Sequence, residues 1–210
     1  MTATAALRAE GIARDDRRRH LGEVSLALEP GTVLAVRGSE RESATLIKTL
    51  FRTLEPDRGS LVLVAGDREL DLAHAGDRAV AWARRRWLGL FDGRVRELPN
   101  RAASRAVAGP AGEDATAAAV LDGLGVSDPS EPVGLLGERE RTAVALALAL
   151  HRPAAILLLH RPLGGLEREA RERAAQLIGD AAAAGSAVLA TLATSDEPLG
   201  GLEGELGSAP

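Results

Sequence analysis

The chain has 210 residues, which is enough for one globular domain with a sizeable core and an inserted subdomain. Hydrophobic residues make up 45% and charged residues 27%, as in ordinary soluble folds, so bulk disorder is excluded. The net charge of −4 argues against a nucleic-acid-binding protein, and the lack of cysteine excludes disulfides and thiolate metal sites.

The sequence predicts neither membrane insertion nor a metal site. The N-terminus has neither the basic start nor the long apolar run of a signal peptide. The most apolar stretch, residues 142–160, is interrupted by a charged and a proline residue, so neither half could span a bilayer. The four histidines lie far apart and show no ligand spacing. We expect a cytoplasmic protein without a bound metal.

The first third of the chain has the pattern of strands around one helix. Apolar runs at 24–28 and 32–36 are separated by a turn, and a further strand is predicted at 61–66. Between them, helical spacing places five apolar side chains on one face: Leu46, Ile47, Leu50, Phe51 and Leu54.

The remainder divides into a helix-rich middle and a second α/β part. Residues 75–136 are rich in helix formers and are interrupted by four prolines, which indicates an inserted helical region. A buried helix from 138 and an apolar run at 155–159 follow, the latter typical of a central parallel strand. The next helix has an apolar stripe, and 186–193 is another buried strand. The stripe consists of Leu166, Ala170, Ala174, Leu177 and Ala181.

The segment "GSERESAT" (38–45) lies between the strand and the first helix. A strand, a glycine turn and a helix form the layout of a phosphate-binding loop, in which backbone N–H groups at the helix N-terminus face an anion. Here, however, the segment contains Glu40 and Glu42, and Lys48, the only lysine, lies about a turn further on. We expect Gly38 to serve the turn, and Lys48 to point away from it.

The order of these segments resembles that of ATP-binding-cassette (ABC) ATPases over nearly the whole chain. The resemblance implies an α/β P-loop NTPase fold with a mostly parallel sheet, an antiparallel β edge and an inserted helical subdomain. It divides the chain into an N-terminal core part (1–78), a helical subdomain with the Q-loop region (79–136), a C-terminal core part (137–200) and a flexible tail (201–210).

Two stretches are similar to one subfamily, the PhnL-type subunit of the bacterial carbon–phosphorus (C–P) lyase system. They are residues 65–107, around the Q-loop position, and 177–193, the last helix and strand. This similarity implies a role in phosphonate metabolism.

The phosphate loop of the family has the form GxxGxGKST, with a lysine on the phosphates and a hydroxyl on magnesium. Gly38 and Ser39 match its beginning. With a one-residue gap, Ser43 occupies the lysine position and Ala44 the hydroxyl position; without it, Ala44 and Thr45 do. Neither register supplies a lysine.

The other motifs of the family are also changed. The acidic Walker B pair becomes His160 and Arg161, and the Q-loop glutamine aligns with Gly93, or with Asp92 if the register slips by one. The switch histidine aligns with Ala193, and the D-loop is "GGLE" (164–167). The signature LSGGQ becomes "LLGER", in which the matched positions are Leu136, Gly137 and Glu138.

These changes predict a degenerate cassette subunit that does not hydrolyse ATP and acts as a binding or scaffold subunit, without a cofactor. The alternative is an ATPase that uses substituted residues with ATP and Mg²⁺, in phosphonate metabolism or transport. The resemblance implies protein partners, either a cassette dimer or C–P lyase subunits. A third alternative is a decaying gene product that has no selected role.

Three charged or aromatic groups remain. We expect Glu42 or Glu40 to pair with Arg161 and fill the nucleotide position. The runs Arg17–Arg19 and Arg84–Arg86 are predicted to be solvated faces. Trp82 and Trp87 are predicted to pack the helical subdomain.

Overall fold

The computed structural model describes residues 5–94, 100–109, 114–151, 154–193 and 202–205. The strands among these residues are β1 (Ala5–Arg14), β2 (Leu21–Leu28), β3 (Val33–Arg37), β4 (Arg58–Ala65), β5 (Arg68–Asp71), β6 (Leu88–Phe91), β7 (Ile156–His160), β8 (Ala187–Leu192) and β9 (Leu202–Glu205). The helices are α1 (Glu40–Leu50), α2 (Asp77–Arg86), α3 (Ala103–Ala108), α4 (Asp114–Gly123), α5 (Glu138–His151) and α6 (Arg168–Ala183).

The strands form two sheets. An antiparallel sheet has the order β2-β1-β4-β5, and a five-stranded parallel sheet has the order β6-β7-β8-β3-β9. The predicted fold class, an α/β fold with a mostly parallel core and an antiparallel part, is therefore confirmed.

The parallel sheet separates two apolar cores because successive side chains of a strand point to opposite faces. In β7, Ile156 and Leu158 pack in the core that α1 and the antiparallel sheet share. Leu157 and Leu159 pack on the other side with helices α3 to α6. Each of the four is at most 1% exposed, which confirms the predicted central strand.

Two helices follow their predicted patterns to different degrees. In α1 the predicted apolar face is buried at Leu46, Ile47 and Leu50, whereas Phe51 is the half-buried C-cap residue. In α6 the predicted stripe is displaced by one position in its second half, because Ile178 and Ala182 are buried in place of Leu177 and Ala181. Apolar residues stand at both alternatives, so spacing alone did not separate them.

The chain contains strands that the sequence did not predict. β1 pairs with both β2 and β4, and β6 pairs with β7 in the parallel sheet. The boundary of the helical subdomain at residue 79 stays a prediction, but residues 88–91 inside that segment belong to the sheet. The structure also places β9 alongside β3 where a flexible tail was predicted. The flexible tail stays a prediction, and 201 and 206–210 lie outside the described residues.

Within the described ranges, no helix combines the length and apolar character needed to cross a membrane. In the same ranges, no cluster of three or more His, Asp or Glu side chains is arranged to hold a metal ion.

Candidate nucleotide-loop region

The carboxyl ends of four parallel strands bring most of the predicted site positions to one edge of the sheet. Register pairs Phe91 with Leu159, His160 with Thr191, and Arg37 with Leu192. The residues that follow β3, β6, β7 and β8 are therefore neighbours. These are the candidate positions at Gly38 and Ser39, at Gly93, at Arg161 and at Ala193.

The connection from β3 to α1 has only two residues, Gly38 and Ser39. Ser39 is the N-cap residue: its Oγ accepts a hydrogen bond from the backbone N–H of Glu42 at 3.3 Å and donates one to Glu42 Oε2 at 2.6 Å. The pattern S-x-x-E is a helix-start signal, because serine and glutamate can satisfy the first turn locally. The predicted turn at Gly38 is present, and the chain is helical from Glu40, so most of the segment 38–45 lies inside α1.

The three remaining phosphate-loop positions lie inside α1. Ser43 is fully buried and Thr45 is 3% exposed, and the Thr45 hydroxyl donates to the carbonyl of Arg41 at 2.8 Å. Ala44 is half-buried. A role for these positions in nucleotide binding stays a prediction.

Arg161 reaches from the end of β7 to the start of α1. Its guanidinium Nη1 lies 3.8 Å from Glu40 Oε2, and its Nη2 donates to the carbonyl of Gly38 at 3.2 Å. The predicted pairing of Arg161 with an acid of the loop is confirmed for Glu40. The arginine holds a left-handed backbone conformation with φ of 47°, which is unusual for a residue with a side chain.

His160 lies beside this pair and is half-buried. Its Nδ1 is 3.2 Å from the hydroxyl of Thr191, which also accepts a hydrogen bond from the backbone N–H of Arg161. Burial, followed by the charge of Arg161, lowers the pKa of His160 below 6.5. We therefore expect a neutral imidazole at pH 7.

Three further charged residues also affect the pKa of His160. Lys48 lowers the pKa of His160, whereas Glu40 and Asp92 raise it. The prediction that Lys48 points away from the loop stays a prediction.

The predicted signature positions lie around the start of α5. Leu136 is a core residue, 2% exposed, and Glu138 is the first residue of the helix. The backbone N–H of Gly137 donates to Glu140 Oε2 at 3.0 Å, and that of Ser127 donates to Glu140 Oε1 at 2.9 Å. These hydrogen bonds to backbone N–H groups hold the pKa of Glu140 below its usual value. Glu140 was not singled out from the sequence, although its place three residues after Gly137 could have identified it.

The Q-loop and switch positions have backbone roles in this structure. Gly93 follows β6 with φ of 76°, a conformation that favours glycine. The carbonyl of Ala193 accepts a hydrogen bond from Arg37 Nη1 at 2.9 Å. The D-loop segment 164–166 and the start of α5 line a cavity of about 180 Å³. Arg139 Nη1, from this start, lies 3.8 Å from Glu167 Oε1.

The chain is similar to proteins named for transport. It is 32% identical over 194 residues to a Streptomyces coelicolor protein named as an ABC transporter ATP-binding protein, a match that covers 89% of this chain and 32% of that protein. It is 31% identical over 193 residues to the ribose import ATP-binding protein RbsA 1 of Rhizobium meliloti, covering 88% of this chain and 38% of that protein. The chain thus spans well under half the length of these relatives. No protein-family model matches it.

Solved structures of ATP-binding cassettes have the same fold. A dimeric bacterial ABC transporter cassette, MJ0796, superposes with a TM-score of 0.74 at 17% identity, covering 96% of this chain and 97% of that chain. A second structure of that cassette, in a post-hydrolysis state with ADP and phosphate, has a TM-score of 0.71 at 17% identity, covering 90% of this chain and 88% of that one. The chain therefore has the fold of an ABC-type ATP-binding cassette.

Proposed function

We propose that the chain is a cassette subunit that does not hydrolyse ATP and acts as a binding or scaffolding partner. One observation carries the proposal. At the two helix starts that family likeness assigns to nucleotide phosphates, a backbone N–H already has a partner in the chain: the Ser39 hydroxyl accepts from Glu42 at α1, and the Glu140 carboxylate accepts from Gly137 at α5. A helix N-terminus attracts one anion through its free N–H groups, and these groups are partly used.

The charges at the start of α1 also oppose nucleotide binding. Two like unit charges about 4 Å apart repel by about 4 kcal/mol at an effective dielectric of about 20. Glu40 is 79% exposed, so solvent screening reduces the repulsion that it exerts on a phosphate. Magnesium requires oxygen ligands, and Arg161 brings a positive charge to the position where the family has an acid.

The alternative is an ATPase that uses substituted residues. It is favoured by the relatives, which are named as ATP-binding proteins. Under this alternative ATP and Mg²⁺ would bind at the edge formed by Ser39, Thr45 and the residues after β7.

Binding of a fluorescent ATP analogue, with and without Mg²⁺, separates the two proposals. We expect no Mg²⁺-dependent binding tighter than about 100 μM, a free energy of roughly 5.5 kcal/mol. The variant E40Q/E42Q is the matched control, because it removes the two acids and keeps the fold of α1. Binding by this variant alone would identify the acids as the block, whereas tight binding by the unchanged chain would contradict the proposal.

The partner context is proposed separately. The names of the relatives support a transporter assembly as the partner. The similarity of 65–107 and 177–193 to PhnL-type proteins supports a C–P lyase assembly instead. In either assembly we propose a cytoplasmic location for the chain. Co-expression of the chain with the proteins encoded by neighbouring genes, followed by copurification, tests both. Recovery with C–P lyase subunits supports phosphonate metabolism, and recovery with a permease contradicts it.

A further inference from the structure

Helix α2 exposes a face that combines arginine with tryptophan. Val80 and Ala83 are its buried residues. Arg78, Trp82, Arg85 and Arg86 are exposed, and their spacing of i, i+4, i+7 and i+8 places them on one side of the helix. We call these four residues the α2 face.

The aromatic part of this face is held in place. Trp82 is 45% exposed and meets Trp87 edge to face, with ring centroids 6.3 Å apart and planes at 69°. Trp87 packs against the core shared by α1 and the antiparallel sheet, and the guanidinium of Arg86 lies 5.6 Å from its ring centroid. The predicted packing of both tryptophans in the helical subdomain is therefore wrong, because α2 lies against the other core.

Arg84 has a different role from its neighbours. Its Nε donates to the carbonyl of Phe51 at 2.8 Å, its Nη2 donates to the carbonyl of Arg52, and its guanidinium lies 5.1 Å from the Phe51 ring centroid. Burial lowers the pKa of Arg84. The predicted solvated face is thus wrong for Arg84, which links α2 to the C-terminal end of α1.

The charges of the α2 face are not neutralised within the described part of the chain. Arg78, Arg85 and Arg86 make no ion pair with any residue in it. The charge of Asp77, at the start of the helix, favours the charged form of Arg84 and so opposes the lowering of its pKa by burial. Three positive charges therefore surround one exposed tryptophan on a chain whose net charge is −4. Tryptophan and arginine are the residue types that contribute most often to binding hot spots.

We propose that the α2 face docks an acidic segment of a partner protein, with an apolar side chain of that segment on Trp82 and its carboxylates on Arg78, Arg85 and Arg86. A lipid surface fits less well, because the apolar stripe of α2 is buried in the core and Trp82 is the only large apolar side chain on the face. This proposal deepens the scaffolding role proposed above. It does not depend on whether nucleotide binds, so the two can fail separately.

Intrinsic fluorescence tests the proposal directly, because Trp82 and Trp87 are the only tryptophans and the chain has no tyrosine. The probe is a short amphipathic helical peptide of leucine and glutamate, titrated into the full chain. We expect a saturable change in tryptophan emission with a dissociation constant below about 100 μM. The lysine counterpart of the peptide should give none, and added salt should weaken binding because exposed charges are screened.

Variants locate the site. R85E/R86E should weaken peptide binding by about tenfold or more. R18E/R19E changes the net charge equally at an exposed loop that contacts the start of α1 through backbone carbonyls, and should stay within about twofold. No saturable change, or equal losses in both variants, would overturn the proposal.

Two other occupants have distinct outcomes. Stronger binding to phosphatidylglycerol vesicles than to the acidic peptide would replace the proposed protein partner with a membrane. An emission change that appears on concentrating the chain alone, and disappears in R85E/R86E, would identify a second copy as the occupant.

Discussion

Helices α1 and α5 both carry two glutamates in the first turn but bond them differently. At α5, Glu140 accepts hydrogen bonds from two backbone N–H groups, those of Gly137 and Ser127. At α1, the carboxylate of Glu42 bonds to the hydroxyl of Ser39, and Glu40 reaches an arginine from the end of β7. The first arrangement links two backbone segments, whereas the second places opposite charges close together at the carboxyl ends of the parallel strands. We therefore expect the acid of α5 to contribute to stability and the acids of α1 mainly to local charge.

The largest expected effect follows from removing Glu140. E140A leaves the N–H groups of Gly137 and Ser127 without their carboxylate, and each lost hydrogen bond to a charged group costs about 1.5 kcal/mol or more. We expect a loss of about 2–3 kcal/mol in the free energy of unfolding, measured with urea. E138A is the control, because the Glu138 carboxylate, exposed on the same turn, makes no hydrogen bond in the described part; it should cost less than about 0.5 kcal/mol. Equal losses for E140A and E138A would show that these glutamates stabilise the fold only through the helix dipole.

A smaller loss is expected for the cap of α1. Ser39 satisfies one N–H of the first turn, at the long distance of 3.3 Å. S39A should reduce the free energy of unfolding by about 1 kcal/mol, a typical cost of losing a serine cap. S60A, at a partly exposed serine in β4 whose hydroxyl has no hydrogen bond within the described residues, should be close to neutral. A loss for S39A as large as that for E140A would remove the difference between the two helix starts.

The starts of α1 and α5 also show how much of the site can be predicted from the sequence. The S-x-x-E pattern at Ser39 predicts a helix start from local chemistry alone, whereas family likeness aligned residues 43–45, which lie inside α1, with the phosphate loop. Arg161 was paired correctly with a loop acid because cassette topology places β3 beside the strands of the C-terminal part, although the parallel strands themselves were recognisable only as apolar runs.

β1 escaped prediction for a physical reason. Its pairing with β2 shifts register between Ala9 and Ile12, where Gly11 has φ of 57°. A β-bulge of this kind interrupts the alternation of inward and outward side chains on which strand prediction depends. The α2 face was missed differently: the run Arg84–Arg86 was predicted to be one solvated face, and only the structure separates bonded Arg84 from exposed Arg85 and Arg86.

A pH titration distinguishes the sheet edge from the start of α5. The pKa of His160 is lowered in the folded chain, so below about pH 6.5 the unfolded state binds more protons and stability falls as pH falls. The pKa of Glu140 is also lowered, so its contribution is present above about pH 4.5 and is lost below it. We expect H160N to flatten the stability profile just below pH 6.5. A flat profile in that window for the unchanged chain would contradict the expected neutral His160.

The smallest effect is expected for the ion pair at the sheet edge. Glu40 and Arg161 are 3.8 Å apart, and the Glu40 side chain is 79% exposed, so a double-mutant cycle with E40Q and R161Q should give a coupling energy below about 0.5 kcal/mol. High salt should remove it, because exposed charges are screened. A coupling above about 1.5 kcal/mol would mean that the pair stabilises the fold as the Glu140 contacts are expected to do. The expected small value has a functional consequence: if the pair hardly stabilises the chain, the E40Q part of the nucleotide-binding variant changes the charge that an incoming phosphate meets without changing the fold. The nucleotide-binding test then reports on charge placement alone.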